Sequence, residues 1–161
     1  MNVLAQPIAI AELATTLQVA AGSMYENNSS GSTITSPSSF SGWISATADV
    51  QTSGYVTFLD DNTNGDQLVI GTNGAGLYLA IWKATVNGNN TQTLKGSLFK
   101  NASQITTSEA WTSVDTGDTI HTMSGACLVT LAAADIIRLK FLAAAGNVVI
   151  YMANVVLVRI S

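Results

Sequence analysis

The sequence is short of charge: Asp, Glu, Lys and Arg make up 10% of its 161 residues, against about 25% in an ordinary soluble domain. With 47% apolar residues and a mean hydropathy of +0.33, a lone monomer of this composition would be poorly solvated. A bilayer span does not account for it, because Thr, Asn, Ser or a charge interrupts every apolar run before the ~20 residues that a membrane helix needs. Burial against other protein chains does. Basic residues are absent before Lys83, so the opening stretch 1–23 lacks the positive start of a secretory signal and is expected to be retained in a protein made in the cytosol. Residues 1–82 carry Glu12, Glu26, Asp49, Asp60, Asp61 and Asp66 without a base, which divides the charge into about −6 and +2 for the two halves. A net charge of −4 without a Lys/Arg cluster excludes a nucleic-acid partner, which requires a basic footprint against the phosphates. Cys127 is the single cysteine; no intrachain disulfide or cysteine cage for a metal can form, and its apolar surroundings mark it as a small core residue.

From Gly31 onward, runs of β-branched and aromatic residues alternate with clusters of Gly, Asn, Asp and Ser, the pattern of an all-β sandwich or barrel. Strands are expected near 43–48, 55–59, 68–70, 77–86, 93–100, 123–131, 136–142 and 148–160. Asn87-Gly88 suits a tight hairpin turn because both residue types tolerate positive φ, and Ala145-Gly146-Asn147 is read as a turn joining the last two strands. The N-terminal stretch differs. Ile10, Leu13, Leu17 and Ala21 recur at helical spacing after Pro7, so residues 1–23 are expected to form a short helix or an extended arm, ahead of a β domain over 24–161. Such a segment either caps its own domain or reaches a neighbour.

A strand exposed on one side should alternate apolar and polar residues. In Leu77-Tyr78-Leu79-Ala80-Ile81-Trp82 both faces are apolar, and the stretch 148–160 behaves alike. One face fills the core. The other must meet something dry, either a loop or helix of the same chain or, more simply, further copies in a closed ring.

Four blocks carry a family resemblance: Gly76-Leu77-Tyr78-Leu79-Ala80-Ile81-Trp82, Ser97-Leu98-Phe99-Lys100-Asn101, Val129-Thr130-Leu131-Ala132-Ala133-Ala134-Asp135 and Asn154-Val155-Val156-Leu157-Val158-Arg159-Ile160. In order and spacing, from about Tyr25 to Ser161, they resemble the tumour-necrosis-factor-like jelly roll, including complement globular heads and their phage relatives. The third block departs from the family pattern, with Ala134-Asp135 where Gly-Asp is usual. The resemblance implies a jelly-roll β-sandwich of about eight to ten antiparallel strands and a homotrimer. On that basis Tyr78, Trp82, Val149 and Tyr151 are the candidate trimer-interface residues.

Candidate chemistry is sparse. Asp60, Asn62 and Asn64 begin an Asp-x-Asn-x-Asn-Gly run like a calcium loop, but Gly71 stands where the bidentate Glu belongs and strands are expected to flank it, so a solvated turn is preferred and no metal or other cofactor is expected. His121 and Cys127 lack a third orienting group. Glu109, Asp115 and Asp118 with Trp111 have the residue types of a sugar site, acids for hydrolysis and an aromatic platform, in a Ser/Thr-rich loop. The Asn-x-Ser/Thr patterns at Asn27, Asn28, Asn89 and Asn101 are read as turn and surface.

A fold of this kind never fixes a function by itself. The absence of an export signal and of a collagen-like stalk, with an Ala/Thr/Ser/Asn-rich composition, resembles a phage structural protein. The expectation is therefore a non-enzymatic, homotrimeric capsid decoration (cement) protein on the virion surface, with the major capsid protein as partner and no membrane partner. Its N-terminal arm would contact the capsid through Ile8, Ile10, Leu13 and Leu17. The alternative is a receptor-binding fibre tip, whose loops 87–91 or 106–116 would meet a host glycan or protein.

Overall fold

The computed structural model describes residues 20–35, 37–43, 46–51, 54–115 and 120–161. In chain order the strands are β1 (Ala21–Ile34), β2 (Ser41–Gly42), β3 (Thr47–Gln51), β4 (Val56–Leu59), β5 (Gln67–Ile70) and β6 (Gly76–Gly88). They continue as β7 (Gln92–Lys100), β8 (Ser103–Gln104), β9 (Ala110–Val114), β10 (His121–Leu131), β11 (Ile136–Ala143) and β12 (Val148–Arg159). A single 3-10 turn, Thr106–Ser108, lies between β8 and β9. One sheet has the order β10-β6-β12-β1-β3; the other has the order β4-β5-β11-β7-β8, with β2 beside β11 and β9 beside β7.

Consecutive strands seldom pair. The chain changes sheet from β5 to β6, β6 to β7, β9 to β10, β10 to β11 and β11 to β12, and the ladders are antiparallel throughout. This is the expected jelly-roll β-sandwich. The strand β1 begins at Ala21, ahead of the expected domain boundary at residue 24, and pairs in the sheet interior with β12. Of the N-terminal segment, residues 1–19 with Ile8, Ile10, Leu13 and Leu17 lie outside the described residues.

The core is built by period-2 alternation. Tyr78, Ala80, Trp82, Ala84 and Val86 of β6 point inward beside Val148, Ile150, Ala153, Val155 and Leu157 of β12, facing Leu94 and Leu98 of β7 and Ile137, Leu139 and Phe141 of β11. Trp82 crosses the gap between the sheets. Its indole N–H donates to Ser108 O at 2.8 Å, and its ring meets Phe141 edge-on at 6.3 Å between centroids. Room for it comes from two glycines: a Cβ on Gly96 would lie 2.5 Å from the Trp82 ring, and one on Gly125 would lie 2.4 Å from its Nε1. Tyr78 is satisfied likewise, donating its hydroxyl to Gly74 O at 2.6 Å.

Two local expectations are corrected. Asn87 and Gly88 do not form a positive-φ hairpin turn; Gly88 is still within β6, and residues 89–91 carry the chain across to the other sheet, because β6 and β7 are not partners. Gly146 does turn with φ +75°. Of the expected strand 43–48, only Thr47 and Ala48 are strand: Trp43 lies outside it, donating its backbone N–H to Leu139 O and accepting from Asp66 N at its carbonyl, and β3 starts at Thr47.

Two residues other than glycine have positive φ among those described, Asn101 (φ 55°) and Ala134 (φ 67°). Ala134 occupies the position where the family pattern has Gly. The left-handed conformation costs a non-glycine residue roughly 1–2 kcal/mol, partly offset by the lower entropy of an unfolded chain with Ala. Ala134→Gly is expected to raise stability by roughly 0.5–1 kcal/mol, about 1–4 °C in a thermal melt. Gly96→Ala, forced against Trp82, is expected to lower it by about 1–3 kcal/mol in urea titration; an unchanged midpoint would show that the indole is not tightly seated.

Candidate functional site

Inward placement of Tyr78 and Trp82 fixes the parity of β6: Leu77, Leu79, Ile81 and Lys83 face outward. Register carries this across the sheet. Leu79 lies between Leu128 of β10 and Val158 of β12, and Val158 neighbours Ala21 of β1. The next row is Ala126, Ile81, Val156 and Ser23, and then come Ser124, Lys83, Asn154 and Tyr25. The outer face thus has an apolar end and a polar end. Leu128 is 61% exposed and Ile81 41% exposed at the apolar end, whose margin is Leu77 with Ile160, joined by a hydrogen bond from Ile160 N to Leu77 O. At the polar end a hollow of about 330 Å³ lies among Tyr25, Asn27, Lys83, Thr85, Met152 and Asn154.

Placement of the four candidate interface residues divides in two. Tyr78 and Trp82 are fully buried within the chain's own sandwich, so they offer no surface to a second chain; their polar atoms are already satisfied inside. Val149 and Tyr151 are half-buried on the outward side. There they pack at Gly31, where a Cβ would lie 2.4 Å from Val149 Cγ1 and 3.2 Å from the Tyr151 ring. Tyr151 is the extra residue of a bulge, since Ile150 pairs with Val86 and Met152 with Thr85. The bulge reverses the parity of β12, so that Ala153, Val155 and Leu157 continue the core. The apolar patch of Leu79, Ile81, Leu128, Val156 and Val158 was missed in the sequence. Lys83 was the available signal: it shares parity with Ile81, and an unpaired inward Lys would be costly.

The candidate calcium loop is held together from within. Asp61 Oδ1 accepts from the backbone N–H groups of Thr63 and Asn64, its Oδ2 pairs with Arg138 at 3.3 Å, and Asn62 donates its side-chain amide to Asp60 at 2.7 Å. Arg138 also donates to Gly65 O. Oxygens engaged in this way do not converge on an ion, and the loop is a turn fastened to β11. Bonds from Asn64, through its backbone and side chain, and from Thr63 and Arg138 hold the Asp61 carboxyl down to about 2. Asp66 beside it is buried and is pushed up by desolvation, although Ala46 N and Asp61 N both donate to it.

The remaining candidates stay apart or serve structure. His121 and Cys127 lie six residues apart on β10, about 20 Å along a strand; burial raises the Cys127 thiol. Glu109 is held below its ordinary value by bonds from Gln104 and Lys95. Trp111 is exposed, Asp115 is exposed at the end of β9, and Asp118 lies outside the described residues. Trp43 is buried and donates its indole N–H to Glu26 Oε2 at 2.6 Å; Glu26 also accepts from Ser32 Oγ. Among the described residues no three His, Cys, Asp or Glu side chains form a metal-binding group.

No protein-family model matches the sequence, and no curated protein matches it significantly. Solved structures do match the fold. The chain is similar to Eiger TNF from S. frugiperda, with 16% identity, 89% of this chain and 93% of that one covered, and a TM-score of 0.64. It is similar to PRD1 vertex protein P5, with 16% identity, coverage of 88% and 97%, and a TM-score of 0.55. It is also similar to the globular domain of zebrafish complement 1qA, with 13% identity, coverage of 89% and 98%, and a TM-score of 0.51. The chain therefore has the TNF-like and complement-head-like jelly-roll fold.

The depressed Asp61 carboxyl gives a pH signature. A folded value of about 2 against an ordinary 3.8 contributes stability that is complete above pH 3.8 and is lost as pH falls toward 2. Melts from pH 5 to pH 2 are expected to fall less steeply for Asp61→Asn than for the native chain; parallel curves would contradict this role.

Proposed function

We propose that the chain is a non-enzymatic, homotrimeric decoration protein that sits on the outer surface of a phage capsid and stabilises it. The observation that carries this reading is the apolar end of the outer face of the β10-β6-β12-β1-β3 sheet. Three copies turning Leu79, Ile81, Leu128, Val156 and Val158 toward a common axis would remove a patch that a low-charge chain cannot keep hydrated. Burying what remains exposed of Leu128 and Ile81 would be worth about 1–2 kcal/mol for the first and about 1 kcal/mol for the second. The likeness to a vertex protein supports a place on a particle.

Binding is the whole of the mechanism. A protein that attaches to the assembled shell and not to separated subunits shifts the equilibrium toward assembly by mass action. Residues 1–19, with Ile8, Ile10, Leu13 and Leu17, are the contact arm in this reading. The arm departs where Ala20 O accepts from Arg159 N, at the apolar end of the outer face, so trimer formation would gather three arms together. A second reading is a receptor-binding tip. It draws on the vertex position of the P5 protein, because vertices are few on a particle and decoration sites are many.

Light scattering on the purified chain is expected to give a trimer, with Ile81→Asp or Leu128→Asp giving folded monomers; a monomeric native chain at micromolar concentration would sink the interface. Deletion of residues 1–19 should leave the trimer intact and abolish attachment to capsids. Densitometry of purified particles separates the two readings: abundance comparable to the major capsid protein is expected for decoration, and a few copies would favour the tip.

A further inference from the structure

On the opposite outer face of the sandwich, β9 sets Trp111 in the solvent. Val114 of the same strand is buried, so Trp111 and Ser113 point outward, and Trp111 is 64% exposed. Its backbone is not loose, because β9 pairs with β7 from Gln92↔Val114 to Gly96↔Ala110. Directly across from Trp111 lies Lys95, whose ammonium pairs with Glu109 at 3.1 Å. Glu109 has extended backbone two residues before Trp111, so both side chains stand on one side of the strand, about 6.6 Å apart along it. Gln104 donates to the other oxygen of the Glu109 carboxylate at 2.7 Å.

The carboxylate is thus fixed by one donor on each oxygen. An ionised carboxylate accepts about four hydrogen bonds, so acceptor capacity remains toward solvent. The Lys95–Glu109 pair cancels its own charge, so the pair by itself offers an ionic partner no net field. Around the pair stand Ser113, Thr93 and Gln104, with the half-buried Leu142 across from Lys95. A protein hot spot is normally surrounded by apolar contacts that exclude water, and among the described residues of β7, β9 and β11 no other large apolar side chain is exposed. A flat apolar ring within reach of a fixed, hydrogen-bonded carboxylate matches one ligand chemistry: a neutral pyranose, apolar on its C–H face and rimmed by hydroxyls.

We propose that Trp111, with Glu109, Gln104 and Lys95, is a saccharide-binding platform, the indole stacking on the C–H face of a neutral pyranose and the Glu109 carboxylate accepting from its hydroxyls. It holds whether the trimer decorates a capsid or tips a fibre, because it lies on the other sheet from the proposed interface.

Tryptophan fluorescence isolates the site, since Trp43 and Trp82, the other two tryptophans, are buried at 1% and 0% exposure. Acrylamide quenching of the full chain would be followed with cellotetraose, chitotetraose and lactose as probes, up to about 10 mM, the range of weak single-site binding. Saturable protection by at least one sugar is expected. Titration calorimetry with the protecting sugar then reads the variants: Trp111→Ala should abolish binding, Trp111→Phe should retain part of it, and Glu109→Gln should weaken it at least tenfold, all three with unchanged circular dichroism. No protection by any of the three sugars would overturn the inference, as would calorimetric binding that Trp111→Ala leaves intact. Protection that arises only on attachment to particles would make Trp111 a protein contact and overturn it equally.

Discussion

The seat of Trp82 governs much of this molecule. The indole spans the two sheets, with its N–H on Ser108 O and its ring closed in by Gly96, Gly125 and Phe141. Close packing of this kind tolerates little change of volume. A strand has two faces and a fixed period, so once Trp82 is committed inward, Leu79 and Ile81 are committed outward. The apolar outer face is therefore a consequence of the core. The outward residues of β6 owe their orientation to an aromatic residue on the other side of the same strand.

Much of the fold was legible because it was written in apolar alternation. The strands from β4 to β7 and from β10 to β12 all coincide with β-branched or aromatic runs. The strand β1 was not legible: Asn27, Asn28, Ser29, Ser30 and Gly31 read as loop, and the structure has an irregularity there between Asn27↔Met152 and Ser32↔Ile150, with pairing to β12 on either side imposed by tertiary context over propensity. The short β9 was hidden in the same way among Thr and Ser. Asn87-Gly88 misled because a local turn signal says nothing about which sheet the next strand joins.

The candidate site was legible in kind and less so in detail. Doubly apolar strands pointed to a second apolar face, but the large aromatics Tyr78 and Trp82 were expected to point outward, where the structure has Leu79 and Ile81. Size suggested interface anchors, whereas their hydrogen bonds to Gly74 and Ser108 make them core. The bulge at Tyr151 could not be read from residue types at all, and it changes which half of β12 faces inward. The charge asymmetry found a local use: Asp61 from the acidic half pairs with Arg138 from the basic half, joining segments far apart in sequence.

The place of β12 has a consequence for synthesis. It lies between β6 and β1 in the middle of its sheet, so the β10-β6 and β1-β3 pairs cannot be joined into one sheet until residues 148–159 have been made. The outer face is assembled from β6, β10 and β12 together, with Val156 and Val158 supplied last. A ribosome that stops before Val148 releases a chain lacking both the central ladder and part of the apolar outer patch. Closure of the sheet is thereby tied to completion of this stretch, and the topology acts as its own proofreading step.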